Sequence, residues 1–124
     1  MDYTLEDRTA KFSEEIILLC KKVPKNVVIL PIINQLLKCA TSIGANYMEA
    51  NGASSRRDFR NKISISLKEA RETKYWLRLL AKTDESFAEE CRNLWKEAHE
   101  FTLIFGKINK NSKRNLNIEF LKFI

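Results

Sequence analysis

Turn-forming residues are scarce in this chain: 124 residues include three glycines and two prolines. A sheet of many strands needs turn chemistry that is missing here, whereas a helical bundle does not. Histidine is scarcer still, with His99 alone. A dinuclear metal bundle requires inward glutamates and a Glu-x-x-His pair on two helices, and the residue three before His99 is Lys96. One histidine also leaves the serines without a general base. Gly44, Gly52 and Gly106 stand too far apart to form a phosphate-cradling loop. The expectation is a non-enzyme with no metal and no cofactor. The three cysteines, Cys20, Cys39 and Cys91, are odd in number and widely spaced, which points to buried free thiols rather than disulfides or metal ligands. No apolar run approaches the roughly 18 residues that span a bilayer, and the longest, from Val27 to Ile33, is interrupted by Pro31. The opening Met1-Asp2-Tyr3 has no basic leader character. A cytoplasmic protein with no membrane partner is expected.

What is present is helical periodicity. The length suits one domain with a real core. Thr4, with Asp7 three residues on, caps a first helix reaching Lys22, and Leu5, Phe12, Ile16, Leu19 and Val23 make its apolar stripe. A second helix runs from about Val28 to Ala50, with Pro31 in its first turn and Asn51-Gly52 as its stop. Ile33, Leu36, Leu37, Ala40, Ile43, Gly44 and Tyr47 share one face. The small Ala40 and Gly44 admit a neighbouring helix closely. A third helix follows a cap at Ser54 or Ser55 and reaches about Lys82, with a seam of Phe59, Ile63, Ser66, Ala70, Thr73, Leu77 and Leu80. Ser86-Phe87-Ala88-Glu89 reads as a capping box for a fourth helix ending near Asn109, with Cys91, Leu94, Ala98, Phe101, Phe105 and Ile108 on one face. Short links make an antiparallel up-down-up-down four-helix bundle the economical all-α topology. The bundle occupies residues 1–109. In 110–124, Asn109, Asn111, Asn115 and Asn117 are expected to break the helix, and the apolar Leu116, Ile118, Phe120, Leu121, Phe123 and Ile124 suggest a docking tail.

The charge is uneven. Between Ser55 and Lys82 stand nine bases (Arg56, Arg57, Arg60, Lys62, Lys68, Arg71, Lys74, Arg78, Lys82) against three acids (Asp58, Glu69, Glu72), which accounts for the whole net charge of +6. At about 100° per residue, all but Lys62 fall in a stripe roughly 120° wide, away from the seam. Such a stripe is either a solvated face or a strip for nucleic-acid phosphates, with Arg57, Arg60, Lys68, Arg71, Lys74 and Arg78 as its binding candidates. Only Tyr75 lies near enough to stack a base. A further side of the same helix carries Ile65, Trp76 and Leu79, lined by Glu69 and Glu72. One core cannot cover this side together with the seam, so self-association through those five residues is expected. The plain alternative for the two glutamates is intrahelical pairing.

Ser42-Ile43-Gly44-Ala45-Asn46, Glu49-Ala50, Ser55, Phe59, Lys62, Leu67-Lys68-Glu69-Ala70-Arg71-Glu72-Thr73 and Tyr75-Trp76-Leu77-Arg78-Leu79-Leu80 together resemble the four-helix bundle family of 23S rRNA intervening sequence proteins. The resemblance is close between Thr41 and Leu80 and spans two helices and their joint. It implies a homopentamer of antiparallel bundles in a bacterial setting, and a biochemical role that is not established. It also implies structural polar contacts for Asn46, Glu49, Glu69 and Glu72 at the contact between helices 2 and 3 or between subunits. A related pentameric bundle, the accessory protein of diversity-generating retroelements, is basic and binds nucleic acid, which is an analogy for the basic stripe. Two functions from different classes follow. One is a nucleic-acid-associated homo-oligomer touching RNA or DNA backbone without sequence readout. The other is a protein-interaction scaffold in which the basic stripe only aids solubility.

Overall fold

A computed structural model describes the backbone of residues 4–123 and the side chains of residues 4–112. It is all-α, with four helices and no strand among the described residues: α1 (Leu5–Lys22), α2 (Ile29–Asn51), α3 (Arg56–Thr83) and α4 (Ala88–Phe123), the last preceded by a 3₁₀ turn at Glu85–Phe87.

Capping chemistry sets most of the boundaries. Thr4 Oγ1 accepts from the Asp7 amide at 3.1 Å, and Ser55 Oγ accepts from the Asp58 amide at 3.0 Å. Each satisfies a first-turn donor that the helix itself cannot. The start of α2 is held differently. Asn26 Oδ1, outside the helix, accepts from the amides of Val28 and Ile29 at 2.9 and 2.8 Å. Pro31 sits in the first turn, where its missing N–H costs nothing. At α4 the expected capping box at Ser86 is not what forms. Asp84 Oδ1 accepts instead from the Ser86 amide and hydroxyl, and the chain enters α4 through the 3₁₀ turn. The expected break at Asn109 is also absent, since the α4 backbone stays helical to Phe123. Asparagine is a weak helix former rather than a breaker, at a cost of a few tenths of a kcal/mol per residue. Docking of the apolar tail lies outside the described side chains.

α3 packs against both α2 and α4, and α1 packs against α2 and touches α4. Cross-helix partners run in opposite numerical order. Glu49 meets Lys62, Ile43 meets Ser66 and Cys39 meets Thr73 between α2 and α3, while Asn109 meets Ser64 and His99 meets Lys74 between α4 and α3. The core is the union of the four expected stripes. Phe12, Ile16, Leu36, Ile43, Ile63, Leu77, Leu80, Phe101 and Phe105 are all buried, whereas Leu5, Phe59 and Ile108, at the stripe ends, are only half-buried. Phe12 meets Phe101 edge-on with centroids 5.3 Å apart, linking α1 to α4. Two hydroxyls lie in the seam, and both are satisfied. Ser66 Oγ donates to the Ile43 carbonyl at 2.9 Å, and Thr73 Oγ1 donates to its own helix at Glu69 at 2.7 Å while lying 3.3 Å from Cys39 Sγ. Small seam residues let α2 and α3 approach without orphaning a buried polar group.

Gly44 marks a close approach of α2 to α1. A Cβ added there would lie 3.1 Å from Thr9 Cβ and Oγ1 on α1, and Thr9 is itself buried and donates to the Glu6 carbonyl. Around Gly106 an added Cβ meets nothing within 4 Å. Two opposite outcomes are therefore expected in urea unfolding at matched protein concentration. Gly44→Leu should lower stability by about 2 kcal/mol through overpacking, and Gly106→Ala should raise it by about 0.5–1 kcal/mol through helix propensity alone.

Candidate nucleic-acid interface

The basic stripe of α3 divides into two parts. Arg57, Lys68, Arg71 and Arg78 are exposed, and the three arginines form no ion pair among the described residues. Lys68 comes within 3.8 Å of Glu69, an exposed contact of little energetic weight. Arg60 and Lys74 are half-buried, and Arg60 Nε is buried without a hydrogen-bond partner among the described residues. Lys74 leans onto α4. Its Nζ lies 5.0 Å from the centroid of the Trp95 ring and donates to His99 Nδ1 at 3.1 Å. An ammonium can only donate, so Nδ1 accepts and the ring proton sits on Nε2. Lys62, outside the stripe, binds Glu49 on α2 at 2.9 Å, and that hydrogen bond raises its proton affinity above the ordinary lysine range.

His99 and Trp95 were the residues that pattern reading missed. They stand four apart on α4, and their rings stack 5.2 Å between centroids at 10°. The four-residue spacing was visible in the sequence, but nothing in it placed Lys74 over them. Beside this stack lies a cleft of about 400 Å³ between α3 and α4, bordered by Arg78, Arg92 and Trp95. A larger hollow of about 680 Å³ lies at the α2–α3 joint, around Ser54, Ser55 and Phe59.

Two acids of α4, Glu90 and Glu97, point to α1. Glu97 receives Arg8 of α1 at 2.6 Å, and Glu90 receives Lys22 of α1 at 2.7 and 2.8 Å. Arg8 also lies 5.5 Å from the Phe101 ring centroid, and its hydrogen bond to Glu97 raises its pKa. These two carboxylates thus face α1, while Arg92 and the stack face α3.

The five residues expected at an oligomer contact lie on one side of α3. Ile65, Glu69, Trp76 and Leu79 are half-buried and Glu72 is exposed. Trp76 Nε1 is buried with no acceptor among the described residues. Burial, then the neighbouring Glu72 charge, lifts the Glu69 carboxyl above its usual range. The most exposed large apolar side chains stand elsewhere: Val27 and Val28 just before α2, Leu18 on α1, Met48 on α2, Tyr75 on α3 and Leu103 on α4, each more than half exposed. Of the polar residues singled out by resemblance, Glu49 does bridge α2 to α3, whereas Asn46 donates within α2 to the Ser42 carbonyl and hydroxyl. No group of three or more metal-ligating side chains occurs among the described residues, and no described helix is long and apolar enough to cross a membrane.

A family model described as 23S rRNA-intervening sequence protein matches residues 2–107. No curated protein matches the chain. Among solved structures, a protein of unknown function from the S23 ribosomal protein family of Bacteroides thetaiotaomicron is similar at 36% identity and a TM-score of 0.77. That alignment covers 86% of this chain and 99% of the other.

Cys20, Cys39 and Cys91 are buried free thiols, and burial pushes each up to about 11 from an ordinary 9.0. At pH 8 the folded thiolate population is therefore about a hundredfold smaller than in the unfolded chain. A colorimetric disulfide reagent at pH 8 should report almost no reactive thiol in the native protein and all three in guanidinium. Because these pKa values are raised on folding, their contribution to stability is complete below pH 9 and is lost as pH rises toward 11.

Proposed function

This chain belongs to the 23S rRNA-intervening sequence protein family, and from that premise we propose that it is a non-enzymatic, cytoplasmic, antiparallel up-down-up-down bundle that self-associates, with a homopentamer as its assembly, and holds nucleic-acid backbone on α3. The observation that carries the nucleic-acid reading is the row of exposed guanidiniums at Arg57, Arg71 and Arg78, which form no ion pair among the described residues. At 1.5 Å per residue the row spans about 31 Å along one helix. Free arginines so spaced release condensed counterions when they meet phosphates, and they read no bases in doing so. Exposed Lys68 extends the strip, while Arg60 and Lys74, half-buried against the bundle, support its shape more than its reach.

The exposed Leu18, Met48 and Leu103 favour a second reading, a protein-interaction scaffold whose basic strip serves solubility. Fluorescence anisotropy with generic RNA and duplex DNA at low and moderate salt separates the two. Binding should weaken steeply with salt, and Arg57→Glu/Arg71→Glu/Arg78→Glu should reduce the slope of log K against log salt by about three. Absence of binding by the unaltered protein at low salt leaves only the scaffold reading.

Self-association is supported by the half-buried Trp76, Leu79 and Ile65 beside Glu69 and Glu72, an apolar strip with a charged margin of the kind subunit contacts use. Light scattering at micromolar concentration should return a multiple of 14.5 kDa, and Ile65→Glu/Leu79→Glu should return a smaller one. A monomer mass for the unaltered protein contradicts the assembly.

A further inference from the structure

We propose that the cleft between α3 and α4 takes an unpaired nucleobase of a single strand, stacked against the indole of Trp95, with the flanking phosphates on Arg78 and Arg92. This deepens the nucleic-acid reading and rests on it, since it names the form of nucleic acid and a second contact beyond the backbone strip.

The geometry has three parts. The cleft holds about 400 Å³, within the range of sites that enclose small planar groups. Its inner surface is apolar, made by the buried Leu77 and Cys91 with the half-buried Ala81 and Ala88, and no carboxylate is among its lining residues. Arg78 from α3 and Arg92 from α4 border it, both exposed and without an ion pair among the described residues.

Trp95 is the third part. It is 37% exposed, yet it is not loose. His99 stacks on the indole and Lys74 reaches over it, tied to His99 at 3.1 Å. Neither His99 nor Lys74 lines the cleft. A ring braced from outside the cleft and bordering it is pre-organised, so little side-chain freedom remains to be lost when a base stacks there. Braced aromatics beside free guanidiniums are the pattern by which single strands are held without sequence readout. A duplex can use the arginines but not the indole, because its bases are already stacked and paired. The sorting of charge on α4 contributes as well. Glu90 and Glu97 pair with Lys22 and Arg8 of α1, and neither lines the cleft.

The test uses the full chain in fluorescence anisotropy with two labelled probes, a single-stranded oligouridine of about twelve nucleotides, within the span such sites cover, and a duplex RNA of equal length. Trp95→Ala should weaken the single strand by about tenfold and leave the duplex within about twofold, and Trp95→Phe should recover most of the loss because a ring face is restored. Equal loss on both probes, or loss on neither while the unaltered protein binds both, overturns the cleft assignment and leaves the backbone strip standing. A changed assembly mass in Trp95→Ala with single-strand binding intact overturns it too, since the cleft is then a contact between copies. If the unaltered protein binds neither probe at low salt, the cleft assignment and the nucleic-acid reading fall together.

Discussion

Everything in this bundle depends on the seam of α3. Ile63, Ser66, Ala70, Thr73, Leu77 and Leu80 are excluded from solvent between α2 and α4, and these two helix contacts are the most extensive among the described residues. Alternation of bulky and small residues lets the flanking helices come close. The two hydroxyls in the seam are tolerated only because each finds an acceptor. Replacing either acceptor geometry would leave a buried polar group at a cost of about 1–3 kcal/mol. With its seam committed to the core, α3 has only its remaining circumference for any other role. That remaining surface holds the bases on one side and the Trp76 strip on another.

The second organising effect is the sorting of charge between helices. α1 contributes Arg8 and Lys22 to Glu97 and Glu90 of α4, so α4 carries these two carboxylates toward α1 and Arg92 with its aromatic stack toward α3. These pairs are partly exposed and each is worth little energetically. Their effect is on where potential accumulates rather than on stability. The outer side of the α3–α4 contact becomes positive and aromatic at once, with Arg78 from α3 beside Arg92 and Trp95 from α4.

Local signals were legible to within about a residue. The cap at Thr4, a cap at Ser54 or Ser55 that the structure places at Ser55, the four apolar stripes and the close approach at Gly44 follow from side-chain chemistry and a period of 3.6. Signals that compete locally were less legible. Ser86 and Asp84 compete near the start of α4, and Asp84 caps the 3₁₀ turn that leads into it, its carboxylate accepting from the Ser86 amide and hydroxyl. Asn109 has low helix propensity, but it donates to Ser64 across the groove, and α4 continues through it.

By itself the sequence determined the helices, their buried faces and the concentration of positive charge in α3, because periodicity, capping and composition act over a few residues. Tertiary structure alone decided which of those charges remain free. Arg57, Arg71 and Arg78 stay in solvent, Lys74 closes over Trp95 and His99, and Lys62 is drawn to Glu49. The physical reason is that an electrostatic or stacking partner on another helix depends on rotation and register, and a difference of one residue in packing turns a side chain by about 100°. No single helix carries that information.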